Sequence, residues 1–225
     1  MRVVDLTHSI SAEMPTYPGD PSPSMDAVSG YGDTGYVTRR LCLGSHTGTH
    51  VDAPAHMLPG GRTLDHYPVD HFAGPAAVVS VPAKATVEHD SLRACVDGLP
   101  ADGFLLLNTG WHRLWGTGRY FHDYPALSVA AATWLVERGL RGIGVDTPSV
   151  DAAGSTNYPV HRALLGCGMV IVENLAGLDR LPEGPVWFTA FPLPLASADG
   201  SPVRAVAWLG CGSAIGVDSG GALPG

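Results

Sequence analysis

The sequence predicts one α/β domain, built from short strands with mixed pairing and a few helices on the outside. Three observations support this. Apolar runs of strand length recur along the chain, punctuated rather than linked by its 29 glycines and 19 prolines. Residues 104–111, 128–138 and 142–146 read in order as strand, helix and strand, the pattern of a βαβ-like crossover. No internal repeat or change of composition divides the 225 residues, a length that suits one sizeable core. Residues 1–210 are assigned to that domain. Residues 211–225, rich in Gly and Ser with little to bury, are expected to form a poorly ordered tail.

The elements follow in order. Residues 2–7 read as a first strand. Residues 15–21 form a turn-rich loop whose one large side chain is Tyr17; it either packs beneath the loop or walls a substrate pocket. Residues 37–43 are a strand that leads into the histidine-bearing stretch at 45–56. A turn at 60–65 precedes a buried strand at 76–81, and residues 90–95 suit a short helix capped by Asp90 or Ser91. The strand at 104–111 is apolar and ends in polar residues; Asn108, Trp111 and His112 there either line a site or pack and face solvent. The helix at 128–138 has Ser128 as cap, alanines in its first turns and Gly139 as its stop. Residues 160–165 form a helical turn stopped by Gly166, and the strand at 169–172 delivers Glu173. A carboxylate at the end of an apolar strand is costly to bury unless paired or bound to a cation.

The chemistry concentrates in residues 45–56, where His46, His50, Asp52 and His56 all occupy even positions. On a helix Asp52 would point away from the histidines, whereas an extended chain sends all four to one side. Thr47, Thr49 and Val51 are β-branched, and Pro54 ends regular pairing, so the stretch reads as a strand end curling into a loop. Imidazole with carboxylate is a ligand set for divalent zinc and also for manganese.

Composition excludes several classes. Formal net charge is −8 with no basic run, which argues against nucleic acid or an anionic membrane as partner. No apolar run approaches the ~20 residues of a membrane span, and no charged-then-apolar leader opens the chain. Cys42, Cys95, Cys167 and Cys211 are scattered, which predicts reduced thiols and a cytoplasmic location. The Gly-x-Ser-x-Gly elbow and the Gly-x-x-x-x-Gly-Lys-Ser/Thr phosphate loop are absent.

The string His46-Thr47-Gly48-Thr49-His50-Val51-Asp52-Ala53-Pro54-Ala55-His56 resembles the signature of the cyclase-like metal-dependent hydrolases, which include bacterial kynurenine formamidases and isatin hydrolases. The run from Ser155 through His161-Arg162-Ala163-Leu164-Leu165-Gly166 to Val172-Glu173-Asn174-Leu175 resembles that family's second ligand segment. Residues 191–195 and 201–207 are similar to its C-terminal region, so the likeness spans most of the chain. It implies a swivelling β/β/α fold and two divalent metal ions, zinc first and manganese second. His46, His50 and Asp52 would hold one ion, and Asp52, His161 and Glu173 the other, with His56 as proton acceptor. The implied reaction is hydrolysis of an aryl formamide such as N-formylkynurenine. The alternatives are a cyclic amide of isatin type, polyketide-type cyclisation, or a non-catalytic metal-binding relative. Tyr17-Pro18-Gly19-Asp20 stands where the formamidases carry Trp-Pro-Gly-Asp, which points to Tyr17 as a substrate contact. Family likeness also implies a homo-oligomer, most simply a dimer.

Overall fold

The structure, a computed structural model, describes residues 1–82 and 86–210, so the expected tail at 211–225 and Cys211 lie outside the described residues. Twelve strands are present among them: β1 (Arg2–Asp5), β2 (Ser24–Ser29), β3 (Thr38–Cys42), β4 (His50–Asp52), β5 (Ala73–Ser80), β6 (Thr86–Val87), β7 (Phe104–Asn108), β8 (Ala126–Leu127), β9 (Gly142–Val145), β10 (Val170–Glu173), β11 (Gly184–Pro192) and β12 (Gly200–Leu209). The α-helices are α1 (Tyr31–Thr34), α2 (Arg93–Val96), α3 (Val129–Glu137) and α4 (Pro159–Gly166). No helix of the described residues is long and apolar enough to cross a membrane.

The main sheet runs β1-β12-β11-β5-β7-β9-β10-β4, and β4 also pairs with β12. All strands of this sheet except β1 therefore form a closed, barrel-like ring. β5, β7, β9 and β10 are mutually parallel, as the strand–helix–strand order at 104–146 predicts. The remaining junctions are antiparallel. Closure depends on β12, whose first residues, 200–202, pair with β4 while residues 203–208 pair with β11.

Strand periodicity sorts side chains between two cores. Phe104 and Leu106 of β7, Val170 and Val172 of β10 and Val51 of β4 fill the ring's interior with Phe188 and Ala205. Leu105, Leu107, Ile143, Val145 and Ile171 face outward and pack beneath α3 and α4 through Ala131, Leu135, Leu164 and Leu165. β9 alternates Gly with Ile or Val for the same reason: a Cβ at Gly142 would lie 2.7 Å from the Val170 carbonyl and 2.8 Å from the Phe104 ring.

Several expected elements are altered. The strand near residues 37–43 exists as β3, but it pairs only with β2 in an exposed outlying hairpin. Regular extension within residues 45–56 is confined to β4. His46 lies in the turn before β4, and His56 closes a 3₁₀ turn, Pro54–His56, so a shared side is achieved by folding back rather than by extension. Asp90 and Ser91 fall in a 3₁₀ turn before α2 and give it no cap; the Ser91 hydroxyl donates instead to the Glu88 carbonyl. Ser128 caps α3 as expected, its hydroxyl accepting from Ala131 N at 3.0 Å.

Candidate metal centre

The β4–β10 ladder sets the centre. His50 is registered opposite Glu173 and Asp52 opposite Ile171. Val51 points into the barrel, so its neighbours His50 and Asp52 point outward, on the same side as Glu173. α4 packs over that side and presents His161 from its first turn. His46 and His56 complete the group from the turns flanking β4.

All six side chains meet. Asp52 Oδ1 lies 2.7 Å from His46 Nδ1 and 3.3 Å from His50 Nε2, while Oδ2 is 3.7 Å from His161 Nε2. Glu173 places Oε1 3.2 Å from His161 Nε2 and Oε2 3.5 Å from His50 Nε2. The His56 ring is centred 4.0 Å from that of His46 and 6.0 Å from that of His161.

The outer nitrogens are anchored, which fixes the inward ones. His50 Nδ1 donates to the Gly48 carbonyl at 2.8 Å, and the same carbonyl accepts from Asn174 Nδ2 at 2.9 Å. His161 Nδ1 lies 2.7 Å from Asp151 Oδ2; the two Asp151 oxygens also accept from the backbone N–H groups of Val160 and His161. Both Nε2 atoms are thereby aimed at Asp52 and Glu173, an arrangement that carboxylate- or carbonyl-backed ligand histidines share.

Burial disfavours charge on His46 and His50, but Asp52, joined by Asp199 at His46 and by Glu173 at His50, outweighs it and raises them to about 9 and about 10 respectively. Burial alone would raise Asp52; the facing histidines hold it well below the usual carboxylate range. His56 goes the other way: burial outweighs Asp52 and lowers it.

The donor set fits a divalent cation. Asp52 is fully buried, yet its Oδ2 has no hydrogen-bond partner, an arrangement that costs stability unless something else meets that oxygen. His46, His50 and Asp52 form one group of donors within 4.8 Å of one another, and Asp52, His56 and His161 form another. The second grouping draws in His56 beside His161, where the sequence paired His161 with Glu173.

The centre opens into a cleft of about 260 Å³, lined on one side by Tyr17, Trp115, Phe121 and Tyr158. Tyr17, ambiguous from the sequence, faces this cleft and meets Phe121 edge-on at 5.7 Å. Asn108, Trp111 and His112 do not line it. Asn108 donates to Ser80, Trp111 is buried against Tyr120, and His112 pairs with Asp146. Arg204 binds Asp5 on the surface. Sequence reasoning missed Trp115, Asp151 and Asp199. Asp199 approaches His46 Nε2 at 2.9 Å and His56 Nδ1 at 3.4 Å, and stands two residues before Ser201, where the segment that the sequence had marked begins.

A closed mixed barrel thus carries clustered imidazole and carboxylate donors, a set able to bind metal, at the floor of a partly aromatic cleft. The chain belongs to the family described as "Putative cyclase", whose sequence profile matches residues 4–152. A kynurenine formamidase of Bordetella petrii is 35% identical over 209 residues, covering 91% of this chain and 97% of that protein. Isatin hydrolase A of Labrenzia aggregata, solved with benzyl benzoate, superposes with a TM-score of 0.83 at 28% identity, over 92% of this chain and 93% of that one. A structure described as a potential metal-dependent hydrolase with cyclase activity superposes with a TM-score of 0.78 at 28% identity, over 92% of this chain and 96% of the other.

Proposed function

We propose that the protein is a metal-dependent hydrolase that cleaves an aryl formamide of the N-formylkynurenine type to the aromatic amine and formate. The observation that carries this reading is the convergence of His46, His50, Asp52, His56, His161 and Glu173 at one cleft, in a chain 35% identical to a kynurenine formamidase. In this reading His46, His50 and Asp52 hold one divalent ion. Asp52, His161 and Glu173 would hold a second, with zinc put before manganese because mixed imidazole and carboxylate sites commonly bind it. Bound ions would supply Lewis-acid polarisation of the formyl carbonyl and a lowered pKa for the attacking water.

The chain's own residues do the rest. His56 stands against the ligand cluster and takes the proton from water as the C–O bond forms. It then returns that proton to the nitrogen as the C–N bond breaks. Tyr17, Trp115 and Phe121 offer flat apolar walls to the aryl ring. A cytoplasmic location and a twofold dimer belong to the same reading; Cys42, Cys95 and Cys167 are free thiols, which suits a reducing compartment.

Steady-state assays of the zinc-loaded protein on N-formylkynurenine and on isatin test the reaction. Formate release with little isatin opening is expected. Efficient isatin ring opening without formamide cleavage would move the substrate to a cyclic amide, the reaction named for its isatin hydrolase neighbours.

A further inference from the structure

Asp199 is a half-exposed carboxylate at the mouth of the centre, and neither the ligand set nor the proton transfer above uses it. Its Oδ2 lies 2.9 Å from His46 Nε2 and 3.4 Å from His56 Nδ1, between two imidazoles whose centroids are 4.0 Å apart. The backbone holds it there: the Asp199 carbonyl accepts from Ala53 N at 2.8 Å, and the next residue, Gly200, is registered opposite Asp52. Gly200 is part of the same device. A Cβ at that position would lie 2.7 Å from His46 Cε1 and 3.0 Å from the Val51 carbonyl, so a side chain there would push the ring away from Asp199.

We infer that Asp199 is a positioning residue that fixes the tautomers of His46 and His56 together, with Gly200 providing the space for the His46 ring to reach it. The inference rests on the metal-dependent reading above. When Asp199 accepts from His46 Nε2–H, the nitrogen left bare is Nδ1, which faces Asp52 Oδ1 at 2.7 Å. His46 would therefore offer Nδ1 to an ion, backed by a carboxylate on its far nitrogen. When Asp199 accepts from His56 Nδ1–H, the bare nitrogen is Nε2, and His56 is held as an acceptor. One carboxylate thus serves a ligand and a base at once. The logic is that of a carboxylate orienting the imidazole of a hydrolytic triad.

The test is Asp199→Asn, which keeps the shape and removes the charge. Zinc affinity is measured by chelator competition, and kcat and KM on an aryl formamide at saturating zinc. The variant is expected to bind zinc about 10- to 100-fold more weakly. Its kcat is expected to fall by about 10²–10⁴ with KM little changed. In a His56→Ala background, Asp199→Asn should weaken zinc binding again but cost no further kcat. Gly200→Ala, with Asp199 intact, should also weaken zinc binding. A zinc-binding wild-type protein with unchanged affinity and kcat in Asp199→Asn would overturn this inference alone. Unchanged kcat with weakened zinc binding would overturn the His56 half. A wild-type protein that takes up no zinc would remove both the inference and the reading on which it rests.

Discussion

His161 is held twice by Asp151, whose Oδ2 meets the His161 ring nitrogen at 2.7 Å and its backbone N–H at 3.0 Å. Asp151 therefore caps the start of α4 and orients the ring that α4 delivers. Replacing Asp151 by Ala leaves buried N–H groups on Val160 and His161 without acceptors, a loss of about 1–3 kcal/mol. Freed rotation of His161 should also weaken metal binding by about 10- to 100-fold. Urea denaturation and zinc titration of the variant measure the two effects separately.

Asp52 is common to both donor groups, reaching His46 and His50 through Oδ1 and facing His161 through Oδ2. Asp52→Ala should consequently lose more metal than His161→Ala, which leaves His46, His50 and Asp52 in place. Elemental analysis after gel filtration reads this out. Full occupancy in Asp52→Ala would defeat the assignment of Asp52 to both donor groups.

How much of this was legible depended on distance along the chain. His46, His50, Asp52 and His56 announced themselves because four donors of one parity sit within residues 46–56, flanked by β-branched and small residues. Glu173 was visible as a charge at the end of an apolar strand. Asp151 and Asp199 were not, because each is a single acid in a turn-rich stretch with no periodic pattern around it. Their roles exist only once α4 is laid over β10 and β12 is paired with β4. Barrel closure was equally hidden: β4 is three residues long, too short to show a period, and its neighbours come from the far end of the chain. Of the expected elements, the βαβ unit survived best, since Ser128, the alanines and Gly139 specify the helix locally.

The glycines of β9 give a stability prediction independent of the site. In Gly142→Ala the new methyl would meet the Val170 carbonyl at 2.7 Å, a backbone atom within the parallel ladder that cannot swing away. Overpacking of this kind costs about 1–3 kcal/mol. A lowered urea midpoint with unchanged metal content is the expected result.

His71 should make folding acid-sensitive. Burial lowers it from 6.5 to about 4, with Arg141 and Arg62 adding to the shift and Asp70 opposing it, and its Nε2 is buried without a partner. The unfolded chain therefore binds the proton first as pH falls. This contribution to stability is intact above pH 6.5 and is lost progressively towards pH 4. The difference in stability between wild type and His71→Gln should shrink over that window. Stability curves for the two proteins that stay parallel from neutral pH to acid would contradict it.

The aromatic wall includes Trp115, which sequence reasoning missed, and leaves out Trp111, which it had offered. Trp115 lines the cleft, stacked on His8 with centroids 4.0 Å apart and set edge-on to Tyr120 at 5.0 Å. Trp111 lies behind the wall, buried, with Nε1 donating to the Tyr120 carbonyl at 2.8 Å. Trp115→Ala removes a flat face from the cleft while leaving every donor of the metal centre in place. An aromatic contact of this type contributes about 0.5–1.5 kcal/mol, so KM for an aryl formamide should rise about 2- to 13-fold with kcat nearly unchanged. Trp111→Phe instead deletes a buried hydrogen bond and should cost about 1–3 kcal/mol of stability with KM unaffected. Kinetics and denaturation on both variants give a crossed pattern if the assignment is right. A larger rise in KM for Trp111→Phe than for Trp115→Ala would place the substrate elsewhere.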